Sequence, residues 1–193
     1  PLSLQDLAEV ARGHRRVALC PEAREAVLAS RRAIDAIASA GDLAPAVYGV
    51  NTGFGALAET RILERDVRAL QRNLVRSHAC GVGPDLGEAE VRGMMVLRAQ
   101  VIALGYSGVR CVVIDMLVEM LNRNVCPRIP AQGSVGASGD LAPLAHLALT
   151  LIGEGEARFE GALMDSAEAL QKAGLPAIEL QAKEGLALIN GTQ

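Results

Sequence analysis

One segment organises this chain: Gly133-Ser134-Val135-Gly136-Ala137-Ser138-Gly139-Asp140-Leu141-Ala142-Pro143-Leu144-Ala145-His146, in which a glycine-rich loop leads into a strongly apolar run. Asp140 is a favourable N-cap residue, and Pro143 suits a first helical turn, where its missing N–H costs little. We therefore predict a helix over residues 140–152 whose N-terminus follows directly on the loop.

The tripeptide Ala137-Ser138-Gly139 within this loop has the composition that an internal cyclisation needs. Small residues let the backbone fold back sharply, because glycine has no Cβ to clash. In such a turn the amide nitrogen of Gly139 can attack the carbonyl carbon of Ala137. Loss of two waters then leaves a methylidene group at the former Cβ of Ser138. The simpler interpretation keeps Ser138 as an ordinary turn residue before a helix N-terminus.

A second glycine-rich segment, residues 48–55, contains one Tyr and one Phe, although the chain has only two of each and no Trp. The segment is not a dinucleotide-binding loop, since Ala58 stands where that fingerprint requires glycine and no strand precedes it. Tyr48 is therefore either an aromatic loop residue that covers the edge of the core or a residue that takes part in chemistry. To act as a base it needs nearby positive charge, because the pKa of a free phenol is about 10.

Four apolar residues at spacings of four, three and four predict an amphipathic helix over residues 60–77. They are Leu63, Val67, Leu70 and Leu74. The pair Ser77-His78 lies at the end of this helix, shortly before Gly81, which is a typical stop signal. A histidine in this position most simply complements the helix dipole, and a binding role is the alternative.

The last segment with chemical content is Gly185-Leu186-Ala187-Leu188-Ile189-Asn190-Gly191-Thr192-Gln193. Its Asn190-Gly191 pair is a reasonable helix C-terminus.

Together these segments resemble the aromatic amino acid ammonia-lyases, and the resemblance spans all 193 residues. In that family Ala-Ser-Gly forms the prosthetic group 4-methylidene-imidazol-5-one. The resemblance implies that Ala137, Ser138 and Gly139 form this group here, with Asp140 as a helper in ring closure. It also implies that Tyr48 is the general base and that Asn190 contacts the substrate and the prosthetic group. No metal or diffusible cofactor is implied.

The substrate is suggested by Ser77 and His78, which match two positions that line the family's substrate pocket. Ser-His is similar to the histidine-specific members, whereas tyrosine-specific members tend to carry His-Leu and phenylalanine-specific plant members Phe-Leu. The resemblance therefore implies L-histidine as substrate, deaminated to trans-urocanate and ammonia. A tyrosine or phenylalanine ammonia-lyase, or an aminomutase, remains an alternative within the family. Outside enzyme function, the alternative is an inactive fragment or an assembly module with an unprocessed tripeptide.

Both ends of the chain look truncated, since it begins at Pro1 without Met and stops at Gln193 immediately after a motif. Members of the family are far longer and form homotetramers whose active sites combine subunits. We therefore expect residues 1–193 to be a single N-terminal active-site domain of a longer lyase, catalytically inactive in isolation.

Composition argues against several other classes of protein. The net charge is −3 and no basic face dominates, which argues against nucleic acid and membrane surfaces as partners. No apolar run has membrane length, and no signal peptide is present. The four cysteines lack the spacing of a disulfide framework or a zinc site, so we expect reduced thiols in a cytoplasmic protein. They are Cys20, Cys80, Cys111 and Cys126.

The fold class predicted from periodicity is mainly α, with at most minor short β pairings. The predicted helices are 4–11, 22–39, 60–77, 86–104, 110–124, 140–152, 165–173 and 183–190, and a short hairpin is predicted within 153–164. The resemblance implies the helical, prosthetic-group-bearing N-terminal domain of the fumarase/aspartase-like ammonia-lyase fold. His146, on the apolar helix after the loop, is interpreted as a core or interface histidine.

Overall fold

The computed structural model describes residues 2–41, 44–134, 136 and 139–191, and helices dominate this part of the chain. They are α1 (Leu4–Gly13), α2 (Pro21–Ala38), α3 (Glu64–His78), α4 (Glu88–Ala103), α5 (Cys111–Asn122), α6 (Ala142–Leu151), α7 (Ser166–Lys172) and α8 (Glu184–Ile189). The strands are β1 (Val82–Asp85), β2 (Cys126–Pro127), β3 (Pro130–Gln132), β4 (Glu156–Phe159) and β5 (Ala162–Asp165). The mainly α fold is confirmed. Within the described residues, no helix is long and apolar enough to cross a membrane.

The strands form two small antiparallel arrangements. β2, β4 and β5 make a three-stranded sheet in that order, and the β4–β5 hairpin confirms the hairpin predicted from the sequence. Its turn residues Glu160 and Gly161 have φ of 50° and 80°, as a two-residue hairpin turn requires. The other pairing joins β1 to β3, with Val82 opposite Gln132. This second pairing does not follow from the sequence pattern, and it positions the candidate site.

The centre of the core is formed by α4 and α5, which pack against each other. Their side chains with no exposed surface are Met95, Ile102, Val113, Leu117 and Met120. Each such burial contributes about 1.5–3 kcal/mol to folding. The apolar residues around most of both helices are thus explained by contacts on several sides. Arg92 of α4 is buried as well, and its guanidinium donates to the carbonyl oxygens of Val10 and Leu121.

Three helices, α3, α6 and α8, pack against one another and carry the candidate site residues at or near their ends. α3 and α8 approach so closely that a Cβ on Gly185 would lie 2.7 Å from the carbonyl oxygen of Gln71. The side chain of Gln71 is fully buried, and its Oε1 accepts the Gly185 N–H at 2.9 Å. Only glycine fits here, so residue 185 fixes how α8 lies on α3.

Most predicted helix boundaries are within two residues of the observed ones, and one is wrong by four. α3 starts at Glu64 and not at residue 60, because Thr52 and Arg61 form a β-bridge and the Ile62 N–H donates to the carbonyl of Asn51. These bonds hold the chain in an extended form until Leu63, which is the N-cap. α6 begins at Ala142, two residues later than predicted, because Leu141 and not Asp140 is its N-cap.

Candidate active site

The loop of residues 133–140 is described except for Val135, Ala137 and Ser138, so two of the three predicted ring-forming residues lie outside the described part of the chain. Gly136 and Gly139 face each other in a reciprocal pair of backbone hydrogen bonds. The Gly139 N–H donates to the Gly136 carbonyl at 3.1 Å, and the Gly136 N–H donates to the Gly139 carbonyl at 3.3 Å. Gly139 has φ of 81°, a conformation that favours glycine. Two hydrogen bonds thus join Gly136, which precedes the tripeptide, to Gly139, which ends it.

Asp140 fixes this loop to the start of α6. Its Oδ1 accepts the N–H groups of Ser134 and Ala142, both at 3.0 Å. The prediction that Asp140 is the N-cap is wrong, because Leu141 holds that position and makes no side-chain cap. Asp140 nevertheless accepts the hydrogen bond of the Ala142 N–H, because its carboxylate extends past Leu141 to the first residue of the helix. One carboxylate therefore binds both the entry of the loop and the first turn of the helix that follows.

Ser77 and His78 end α3, as predicted, and their side chains return to the helix. His78 Nδ1 lies 2.9 Å from the carbonyl oxygen of Leu74, and Ser77 Oγ donates to the same oxygen at 3.0 Å. Because a carbonyl oxygen only accepts, Nδ1 of His78 carries a proton. In the neutral ring Nε2 is then an acceptor, and it has no hydrogen-bond partner among the described residues. His78 thus offers one acceptor nitrogen of fixed orientation.

The β1–β3 pairing brings these two parts of the site together. β1 begins four residues after His78, and β3 ends directly before the loop of residues 133–140. The side chain of Gln132 lies over Gly83, where a Cβ would be 3.2 Å from Gln132 Cδ. The end of α3 and the tripeptide-bearing loop are therefore neighbours in the fold, although more than fifty residues separate them in the sequence.

Tyr48 lies in a loop that is held in place by hydrogen bonds of the Asn51 side chain. The Asn51 side chain accepts the Val47 N–H at 2.7 Å and donates to the Pro45 carbonyl at 3.1 Å. The Tyr48 ring packs edge-on against Phe54, with ring centroids 5.9 Å apart. Tyr48 remains 52% exposed, and no hydrogen bond to its hydroxyl is made by the described residues. The loop thus holds the ring in place and leaves the phenol accessible.

Asn190 is the C-cap of α8, and the Tyr48 loop rests on the same helix. The Asn190 N–H donates to the Leu186 carbonyl at 2.9 Å, which ends the helix where the sequence predicts. Gly49, next to Tyr48, has φ of 74° and lies so close to the Leu186 side chain that a Cβ would overlap it. The structure thus brings together the Tyr48 loop with α8, and His78 with the loop of residues 133–140. It gives no distance from either pair to Ser138, which lies outside the described residues.

The beginning of α8 is anchored by a buried carboxylate that the sequence analysis did not single out. Glu184 has no exposed surface, and its two oxygens accept the backbone N–H, Nε and Nη2 of Arg110 and the N–H of Gln181, at 2.8–2.9 Å. These bonds raise the pKa of the Arg110 guanidinium above its ordinary value. The signal in the sequence was a single acidic residue at the start of an otherwise apolar helix.

A large cleft lies elsewhere, between α2 and α3. It has a volume of about 800 Å³ and is lined by charged residues that include Arg31, Asp35, Arg61 and Arg68. None of Tyr48, His78 and Asn190 lines it. In the described part of the chain, no group of three or more His, Cys, Asp or Glu side chains is placed to hold a metal ion. The three candidate side chains therefore lie outside this cleft, although Val50 and Asn51 of the Tyr48 loop line it.

The chain is similar to known proteins over nearly its whole length. A family model described as aromatic amino acid lyase matches residues 2–193. Histidine ammonia-lyase of Sorangium cellulosum (strain So ce56) is 79% identical over 193 residues, which are 100% of this chain and 38% of that protein. The chain thus spans well under half the length of this relative.

Solved structures show the same fold. Histidine ammonia-lyase from Trypanosoma cruzi matches with a TM-score of 0.85 and 39% identity, over 96% of this chain and 35% of that one. The ergothioneine-degrading enzyme ergothionase from Treponema denticola matches with a TM-score of 0.93 and 34% identity, over 98% of this chain and 37% of that one. Since the family model extends over nearly every residue, this chain belongs to the aromatic amino acid lyase family.

Proposed function

We propose that the complete protein deaminates L-histidine to trans-urocanate and ammonia. The observation that carries this proposal is the loop of residues 133–140, whose closed glycine pair and Asp140 anchor suit a cyclised tripeptide. The histidine preference is supported by the orientation of His78 and by the 79% identity to the Sorangium cellulosum enzyme. The β-hydrogen of the substrate leaves as a proton and the α-amino group leaves as ammonia, so no oxidant is needed.

The residues of the loop fit the prosthetic group 4-methylidene-imidazol-5-one, formed from Ala137, Ser138 and Gly139. Ring closure needs the Gly139 nitrogen near the Ala137 carbonyl, and the reciprocal hydrogen bonds hold Gly139 beside Gly136, the residue that precedes the tripeptide. Asp140 keeps the loop entry on α6, whose N-terminus stabilises negative charge nearby. When present, this group supplies an electrophilic methylidene carbon that converts the substrate amine into a better leaving group.

The role proposed for each remaining site residue is the one that the family resemblance implies, and its position supports that role. Tyr48 accepts the β-proton, since its hydroxyl is exposed and its ring is held by Phe54. As a phenolate it needs positive charge from groups beyond its own loop. His78 accepts a hydrogen bond at Nε2 from the substrate imidazole, with Ser77 beside it. Asn190 hydrogen-bonds the amine or the prosthetic ring from the end of α8.

The complete protein is proposed to be a homotetramer, with residues 1–193 as its N-terminal active-site domain. Tyr48 and other candidate residues lie on exposed loops. This exposure suits an active site that is completed by the rest of the protein or by a second subunit. The four unpaired cysteines suit a reducing compartment, and we place the protein in the cytoplasm. Residues 1–193 alone are expected to be inactive.

The test is to purify the complete protein and incubate it separately with L-histidine, L-tyrosine and L-phenylalanine. Urocanate from histidine, with little coumarate or cinnamate, is expected. Coumarate, cinnamate or β-amino acids as the main products would instead assign a tyrosine or phenylalanine lyase or an aminomutase. The mass of the peptide that contains residues 137–139 is expected to be lower by two waters. An intact tripeptide in an inactive protein would support the assembly-module alternative.

A further inference from the structure

The segment that follows His78 is fixed to α6 by one side chain to which the proposed mechanism gives no role. The Gly81 N–H donates to Nε2 of His146 at 3.1 Å. The approach is tight, because a Cβ on Gly81 would lie 3.1 Å from that nitrogen and 3.2 Å from Cβ of Pro130. His146 stands on α6, the helix that follows the loop of residues 133–140.

Between His78 and Gly81 the backbone has little freedom. Ala79 has φ of −79° and ψ of 60°, and the Cys80 N–H donates to the His78 carbonyl at 2.9 Å. These values define an inverse γ-turn. The His78 ring is held on one side by the Leu74 carbonyl, and the chain after the turn is held on the other side by His146. The link at Gly81 thus adds, to the direct packing of α3 on α6, a hydrogen bond that holds the chain just after the end of α3.

The protonation state of His146 suits this link. Burial lowers the pKa of the imidazole below its ordinary value, and the positive charge of Arg128 lowers it further. The ring is therefore neutral at pH 7, and its proton lies on Nδ1, since Nε2 must keep a lone pair to accept the Gly81 N–H. Arg128 itself is held by Asp85 of β1 and Glu156 of β4.

We infer that His146 is a positioning residue: by accepting the Gly81 N–H, it fixes the end of α3 against α6 and so sets the place of His78 relative to the tripeptide loop. The inference rests on the proposed function, because it assumes that His78 binds substrate. His146 touches no reacting atom in this account. It acts on substrate binding through Gly81 and the γ-turn at Ala79.

The test compares His146→Gln with His146→Asn in the complete protein. The Gln side chain can place an acceptor oxygen where Nε2 stands, whereas the shorter Asn side chain cannot reach Gly81. With His146→Asn, KM for L-histidine is expected to rise about fivefold to tenfold, the effect of one lost hydrogen bond. kcat should stay within about twofold, because the loss affects ground state and transition state alike. His146→Gln should restore KM to near the parental value.

Two further measurements separate this inference from the proposed function. The mass of the 137–139 peptide should show complete ring formation in both variants, and thermal unfolding should show that both are folded. Equal KM values for the Gln and Asn variants, or ring formation lost in His146→Asn, would overturn the positioning role while the parental enzyme still makes urocanate. A parental protein that makes no urocanate would instead overturn the proposed function.

Discussion

The carboxylate of Asp140 fills the space that a side chain at Gly133 would occupy. The same carboxylate binds the N–H groups of Ser134 and Ala142, so the contact joins the entry of the tripeptide loop to α6. Glycine at position 133 is required by this close approach and not by its backbone angles. Any larger residue must displace Asp140 or move the loop.

Gly133→Ala is therefore expected to slow ring formation in the complete protein by at least about tenfold. Displacing Asp140 removes charge-assisted hydrogen bonds that contribute about 1.5–3 kcal/mol each. Gly136→Ala is the matched control, because among the described residues the nearest atom to a Cβ there, chain neighbours aside, is the Gly139 carbonyl oxygen at 3.8 Å. The fraction of cyclised chains is measured by peptide mass at intervals after synthesis. Equal fractions for the two variants would contradict a role for the Asp140 position.

The sequence predicts those features that neighbouring residues encode. The end of α3 at His78, the C-cap at Asn190 and the β4–β5 hairpin all arise from local apolar periodicity and turn residues. By contrast, β1 is Val82-Gly83-Pro84-Asp85, and glycine and proline disfavour strands. Its pairing with β3 depends on how α3 and α6 pack, which no local pattern reports.

The contacts that assemble the candidate site also depend on packing between distant residues and not on local sequence patterns. Gly81 with His146, Gly49 with Leu186, and Arg110 with Glu184 each join residues far apart in the sequence. For the first two pairs, the sequence shows only that residues 81 and 49 are glycines, and glycine occurs at a position for many different reasons. Only the three-dimensional packing shows that the Leu186 side chain lies against Gly49 and that the His146 and Pro130 side chains lie against Gly81.

Tyr48→Phe is expected to reduce kcat for L-histidine by about 10²–10⁴-fold, the usual contribution of a general base. Stability should change little, because Tyr48 is 52% exposed and the Phe ring can keep the contact with Phe54. Tyr106→Phe is the control, since Tyr106 is 86% exposed and the other tyrosine of the chain. Steady-state kinetics of urocanate formation measure both variants. A Tyr48→Phe enzyme with parental kcat would remove Tyr48 from the mechanism.

Glu184→Gln is expected to destabilise the protein by about 1.5–3 kcal/mol, since it removes the charge from a fully buried carboxylate that accepts hydrogen bonds from Arg110. Glu184, the first residue of α8, is fully buried against Arg110, with Arg31 3.7 Å away. Glu179→Gln is the control, because the Glu179 side chain is 71% exposed and its ion pair with Arg68 contributes at most about 1 kcal/mol. Urea unfolding compares the two. A shift of equal size in both would show that Glu184 does not anchor α8.

Substrate choice is tested by changing Ser77 to His and His78 to Leu together. In the parental protein the Leu74 carbonyl fixes the proton on Nδ1 of His78, which leaves Nε2 to accept the imidazole N–H of histidine. Leucine offers no acceptor, and an unpaired buried N–H costs about 1–3 kcal/mol, or about 5–150-fold in kcat/KM. We expect kcat/KM for L-histidine to fall by this factor and the ratio of tyrosine to histidine turnover to rise.

Ser77→Ala alone should have a small effect, because Ser77 is exposed and, among the described residues, its hydroxyl binds only Leu74 and His78. Peptide mass confirms that the prosthetic group has formed in each variant. An unchanged preference for histidine would mean that the imidazole is recognised by residues other than His78.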